Sequence, residues 1–253
     1  MQTVNDVSSL AGQDSPVSEC GTSMLEELHP QAVPFENFSQ NEKPLSVVFF
    51  SHSAELSGAE RSLLSLVGDL VGYRHATCTV ILPRHGPLER LLRDVGVSVV
   101  IMPFNWWCGS DGTAPEALAS TLSADVPAFF CDIVPYVKNI DPDVIVTQTM
   151  VIPWGAAAAA VLGKPHIWSV CEYGELDHGL HFVERFEKIV ADIENGSDFV
   201  FVACHDVKTV LFPNLPIERC DVLYRHIEIG APDEAASSHD GAGKPMRSRR
   251  WRA

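Results

Sequence analysis

The run Cys171-Glu172-Tyr173-Gly174-Glu175-Leu176-Asp177-His178-Gly179 is the densest group of ionisable side chains in the body of the chain. Carboxylates placed this close raise one another's pKa, which suits acid/base work or the orientation of sugar hydroxyls. Glu172 and Cys171 are the candidates for chemistry, and Glu175 and His178 for substrate contact; a solvated acidic loop is the alternative reading. Glu172, Asp177 and His178 lack a recognised ligand spacing, so no metal site is expected.

A second constellation is Ser57-Gly58-Ala59-Glu60-Arg61, which follows the apolar run Val47-Val48-Phe49-Phe50. Ser57 and Glu60 fit the S-x-x-E capping box, in which each side chain satisfies an orphan donor of the other's backbone. Capping uses only some of the free N–H groups at a helix start, and the remainder face whatever binds above the strand. Ser57, Gly58, Ala59 and Glu60 are the expected contacts for such a ligand; helix capping alone is the alternative reading.

These residues need a frame. Leu63, Leu64, Val67, Leu70 and Val71 repeat at helical spacing after the turn, while the run before it has the continuous apolar character of a strand covered on both faces. Strands are expected at 47–50, 77–82, 98–102, 144–147, 166–170, 199–203 and 221–224, with helices at 59–71, 87–95, 126–139, 153–162, 182–195 and 205–212. Alternation of this kind predicts right-handed crossovers and an α/β doubly wound parallel sheet of about seven strands. Ligands of such sheets sit beyond the carboxyl ends of the strands. That rule adds Ser51, His52, Ser53 and Glu55 after the first strand, Arg84 and His85 after the second, Trp106 and Trp107 after the third, and Gln148 and Thr149 after the fourth. Of these, His85, Trp106, Trp107 and Gln148 are taken as substrate contacts; the tryptophans suit stacking on a sugar ring or local packing equally. Asp141-Pro142-Asp143 precedes its strand and reads as a turn rather than a metal motif.

Composition narrows the class. The 253 residues, 46% hydrophobic and 20% charged, suffice for one good core, and a formal charge of −15 argues against a general nucleic-acid binder. Seven cysteines without a C-x-x-C pair favour a reducing, cytoplasmic setting. Residues 1–44 read as a disordered acidic leader and 230–253 as a disordered basic tail, with residues 45–229 as the folded domain. Lys244, Arg247, Arg249, Arg250 and Arg252 allow peripheral contact with anionic lipid at the inner membrane face, although an inert terminus is the plainer reading. The stretch between Asp143 and Lys164 carries no charge, about the length of a membrane helix. Thr147, Gln148, Thr149 and Pro153 break it, and strand, loop, helix is the reading preferred; no transmembrane segment is expected. A G-x-S-x-G elbow, an H-E-x-x-H pair and a G-x-x-x-x-G-K-[ST] loop are all absent from the sequence, which removes support for a serine hydrolase, a zinc protease and a P-loop NTPase.

The stretches Ser57 to Leu63, Val80 to Leu88, Pro165 to Trp168 leading to Glu172-Tyr173-Gly174-Glu175, and Asp221 to Tyr224 together resemble the amino-terminal half of a family 4 glycosyltransferase of the GT-B fold. Ser57 stands where that family's G-G-A-E-R loop has its first glycine. The resemblance implies a retaining transferase of two Rossmann-like domains, metal-independent and without a cofactor, whose nucleotide-sugar donor is a substrate. It also implies that the amino-terminal half shapes the site for a glycan or lipid-linked acceptor, with Gly58 and Ala59 approaching the donor phosphates. At the end of the fifth strand, where the family commonly has a sugar-contacting histidine, stand Cys171 and Glu172. Only a short tail follows Gly230, so a separate donor-domain chain is an expected partner and activity in isolation is doubtful. A non-catalytic glycan- or partner-binding module on the same fold is the rival. A dinucleotide enzyme ranks last, because G-x-G-x-x-G is missing after the first strand.

Overall fold

A computed structural model describes residues 43–110 and 112–224, without the side chains of Asp177 and His178. Apart from Lys43 and Pro44, the expected leader and tail lie outside the described residues.

Seven strands form one sheet: β1 (Ser46–Ser51), β2 (Thr77–Leu82), β3 (Ser98–Ile101), β5 (Val144–Gln148), β6 (His166–Val170), β8 (Phe199–Val202) and β9 (Cys220–Val222). Their order is β3-β2-β1-β5-β6-β8-β9, and every pairing is parallel. The chain winds outward from β1 in one direction, then returns to β5 and winds outward in the other. Between β1 and β5 the order reverses, which opens a crevice at their carboxyl ends.

Alternation along β1 explains why both faces need cover. Val48 and Phe50 enter one core layer, and Val47 and Phe49 the other. Helices α1 (Gly58–Arg74) and α2 (Pro87–Asp94) close the second layer through Leu63, Val67, Leu88 and Leu92. The first layer is closed by α3 (Pro115–Ala128), α4 (Val134–Ile140), α5 (Trp154–Leu162), α7 (Phe186–Asn195) and α8 (His205–Leu211).

Strand bounds agree with the sequence reading to within a residue or two, while three helices depart further: the one expected at 59–71 runs on to Arg74, the one expected at 182–195 begins at Phe186 because Phe182 is taken by a short strand, and the third differs most. The segment expected at 126–139 begins at Pro115, and α3 runs through a π-helical turn, Phe129–Ile133, directly into α4. Pro127 inside α3 has no N–H to give the helical ladder, and the widened turn follows it. The 26-residue helix Pro115–Ile140 has a mean hydropathy of 1.4 and is long and apolar enough to cross a bilayer by those measures alone; Phe129, Ile133 and Val137 bury its inner face in the core layer on the sheet, and Leu118 is buried as well. The uncharged run 144–163 resolves as β5, a connection and α5. Two further elements escaped the sequence reading: a two-stranded ladder of β4 (Cys108–Gly109) with β7 (His181–Phe182), and the single turn α6 (Glu175–His178).

Gly155 shows how tightly α5 lies on the sheet. A Cβ there would collide with the Thr147 hydroxyl and come within 3.1 Å of the Phe50 ring. Gly155→Ala is expected to cost about 1–3 kcal/mol of stability in urea unfolding, despite alanine's higher helix propensity. A neutral or stabilised variant would show that α5 can lift away.

Candidate functional site

The crevice between β1 and β5 is the entrance to a cavity of about 720 Å³. Strand register builds it: Ser51 stands beside Gln148, and Gln148 beside Ser169, so the residues just beyond all three ends converge. The walls are the start of α1, the loop after β6, Trp106, and the end of β8.

Gly58 and Ala59 line the cavity at the amino terminus of α1. A Cβ on Gly58 would meet nothing within 4 Å, so the glycine faces open space rather than a packed neighbour. Glu60 is placed differently from the expectation. Only 1% exposed, it lies beneath the turn, where its carboxylate accepts the Ser57 N–H (3.2 Å) and the Ser57 hydroxyl, and it does not line the cavity. Capping draws the side chain inward, away from any ligand above the turn. Burial pushes its pKa up, but the Ser57 hydrogen bond and the neighbouring His52 pull harder, and the group sits below its ordinary value.

The second oxygen of Glu60 is 3.1 Å from His52 Nε2. That is an ion-pair distance without hydrogen-bond geometry, and both Glu60 Oε1 and His52 Nδ1 are buried without a hydrogen-bond partner. Burial lowers the His52 pKa, outweighing the attraction of Glu60, and Arg84 lowers it further, so the ring is neutral near pH 7. Trp106 covers it: the rings are 5.4 Å apart, and the indole N–H donates to the His52 carbonyl at 2.8 Å. His52 and Trp106 also border an adjoining cavity of about 310 Å³ that reaches Arg84 and Asn105.

Trp107, expected beside Trp106 as a substrate contact, is a core residue. It stacks on Trp168 at 5.9 Å, meets Phe182 edge-on, and donates its indole N–H to the Met150 carbonyl at 2.6 Å. Cys108 and Phe182 pair immediately after it, which pins the loop with Trp107 inward. Gln148 is fully buried, its amide 3.4 Å from both the Ala59 carbonyl and Cys171 Sγ. His85 is exposed in the loop before α2, paired with Glu89 at 2.7 Å, and it does not line the cavity. Glu175 opens α6, also outside the cavity lining. His178 closes α6, and its side chain is outside the described residues.

Cys171 and Glu172 do line the cavity. Glu172 is 8% exposed, with one oxygen accepting the Met150 N–H at 2.5 Å and the other the Cys171 N–H at 2.9 Å. Such a carboxylate holds two loops together, which is a positioning role rather than that of a free proton carrier. Its charge also acts on Cys108, whose thiol is pushed up to about 12, mainly by burial. Among the described residues no group of three His, Cys, Asp or Glu side chains could hold a metal ion.

His52 and Thr149, shortlisted from the sequence but not taken as substrate contacts, line the cavity, as do Ser62 and Ser169, which the sequence did not single out. Position at a strand end was the available signal for the first two. Only the pairing of His52 with Glu60 and the orphaned state of the Thr149 hydroxyl set them apart, and neither is visible in a sequence.

No family model and no curated protein sequence matches this chain. Among solved structures, HepE of Anabaena in complex with UDP and glucose superposes with a TM-score of 0.51 at 16% identity, covering 72% of this chain and 44% of that one. MurG of Acinetobacter baumannii gives 0.49 at 17% identity, over 80% of this chain and 51% of that one. A glycosyltransferase from Rickettsia africae also gives 0.49 at 17%, over 73% and 44%. The chain thus spans less than half the length of the HepE structure, and at 16% identity that likeness is one of fold: the Rossmann-like α/β architecture of GT-B glycosyltransferases, without selection of family 4 among them.

Proposed function

We propose that this chain is a glycosyltransferase-type domain that binds the acceptor and forms one wall of a cleft for sugar transfer from a nucleotide-sugar donor. Retention of configuration follows from the family resemblance, and a donor-binding domain, on the same or a separate polypeptide, supplies the facing wall. The observation that carries this reading is the open amino terminus of α1 at the strand-order reversal, sharing one cavity with the loop after β6. Backbone N–H groups and the helix dipole favour phosphate there, and the adjoining cavity leaves room for a sugar. HepE, with the same fold, was crystallised with UDP and glucose.

Calorimetric titration of the chain with UDP-glucose and with UDP tests the reading. Saturable binding is expected, weakened about tenfold or more in Gly58→Asp, which sets a carboxylate where phosphate would lie. The space around Gly58 accommodates the new side chain, and an acid at a helix start favours the helix, so the variant keeps its stability. Binding unchanged in Gly58→Asp, or no heat with either nucleotide, overturns the proposal. A non-catalytic binding module is favoured by one observation, the engagement of both Glu172 oxygens by backbone. Nucleotide binding without turnover, even with a donor-domain partner present, would select it.

A further inference from the structure

Among the described residues, the buried side-chain polar atoms without a hydrogen-bond partner are His52 Nδ1, Glu60 Oε1, Gln148 Oε1 and Thr149 Oγ1. Glu60 Oε1 has His52 Nε2 at ion-pair distance, 3.1 Å. The other three sit at the carboxyl ends of β1 and β5, on the two sides of the strand-order reversal. Buried polar groups are nearly always paired in folded proteins, so a set of orphans gathered at one crevice calls for a partner arriving from outside.

Thr149 carries the case furthest. It is 2% exposed, borders the cavity, and has φ of 70°, where a β-branched residue is an outlier. Its backbone is held there from both sides: the N–H donates to the Ser169 carbonyl at 2.7 Å, and the carbonyl accepts the Trp168 indole N–H at 2.8 Å. Strain of this kind persists where the surroundings over-determine it, and it gathers at ligand-binding positions.

The chemistry of the orphans selects the ligand. A neutral His52 ring can accept or donate at Nδ1, and the Thr149 hydroxyl can do either; Gln148 Oε1, which can only accept, is buried outside the cavity lining. Among the described residues no lysine or arginine lines this cavity, and Glu172 does. We infer that the Thr149 end of the cavity, which His52 also lines, is a subsite for an uncharged, hydroxyl-rich group, a neutral sugar ring of the acceptor, that excludes acceptors bearing a carboxylate or phosphate at this point. The inference rests on the sugar-transfer reading for calling that group an acceptor, and it assigns the subsite a substrate class which that reading does not specify.

The test is titration of the full chain by ligand-observed NMR with methyl glycosides of glucose, galactose, mannose and N-acetylglucosamine, with the uronic acid counterpart of each hexose, and with methyl glucosaminide. At least one neutral glycoside should bind about tenfold more tightly than its uronate, and that binding should fall about tenfold in Thr149→Val while surviving in Thr149→Ser. Thr149→Val should unfold at no lower urea concentration than the parent, because it deletes an unpaired hydroxyl and keeps the side-chain shape. Tighter binding of the uronates or of the glucosaminide, full binding by Thr149→Val, no binding by any neutral glycoside, or a marked loss of stability in Thr149→Val each overturns the subsite. UDP-glucose in the same samples separates the two readings. Neutral-sugar binding without nucleotide binding removes the transfer function and leaves the subsite, while nucleotide binding without neutral-sugar binding does the reverse.

Discussion

Glu172→Ala is expected to lower the unfolding free energy by about 2–5 kcal/mol, the largest loss from any single cleft residue. Its carboxylate is buried and accepts the backbone N–H groups of Met150 and Cys171, one beyond β5 and the other beyond β6. Alanine leaves both donors without their acceptor, at about 1–3 kcal/mol for each that water cannot reach. Glu172→Gln keeps one acceptor oxygen but turns an NH2 group toward the other donor, so an intermediate loss is expected. Urea unfolding of the three proteins checks the order. A free catalytic carboxylate would behave differently, because its removal would alter turnover and leave stability within about 0.5 kcal/mol. Met150 follows Thr149 directly, so the same substitution should also loosen the cavity floor and weaken binding there.

The sheet was legible because its strands are buried on both faces. Runs such as Val47 to Phe50 and Phe199 to Val202 are apolar without interruption, and glycine or proline punctuates the connections between them. The start of α3 was not legible. Between Pro115 and Asp125 only Leu118 and Leu122 carry its inner face, too sparse a pattern to register as a period. The β4–β7 ladder joins residues far apart in the chain through two pairs, and no local signal encodes such a contact. Within the site, the strand-end rule reached the right neighbourhood but could not separate Trp106 from Trp107. Adjacent residues of the same type point opposite ways, and tertiary pairing of Cys108 with Phe182 decides which one faces inward. The same limit applied to Glu60, whose motif position suggested ligand contact while its carboxylate is turned inward to Ser57 and His52.

His166 sets the second large effect, a loss of stability in mild acid. The ring is 2% exposed, and its two nitrogens have fixed roles. The Gly196 carbonyl at 2.9 Å can only accept, so Nδ1 carries the proton; Nε2 then accepts from the Thr147 hydroxyl at 2.8 Å. Burial depresses its pKa to about 4, against the weaker upward pull of the Gly196 carbonyl and Asp198. A folded-state pKa below the unfolded value of about 6.5 means that the unfolded chain binds the proton first as pH falls. The contribution is therefore complete above pH 6.5 and drains away down to about pH 4, on the order of 3 kcal/mol across that window. His52, lowered by burial, adds a change of the same sign. Carboxylates titrate at the acid end as well, so the comparison that isolates the imidazole is the parent against His166→Gln, each unfolded in urea at intervals from pH 7 to pH 4.5. The variant starts less stable at pH 7, having lost two hydrogen bonds, and should show a distinctly shallower decline. Parallel curves would mean that His166 does not take up a proton on unfolding, and that the buried end of β6 is more open to water than its packing shows.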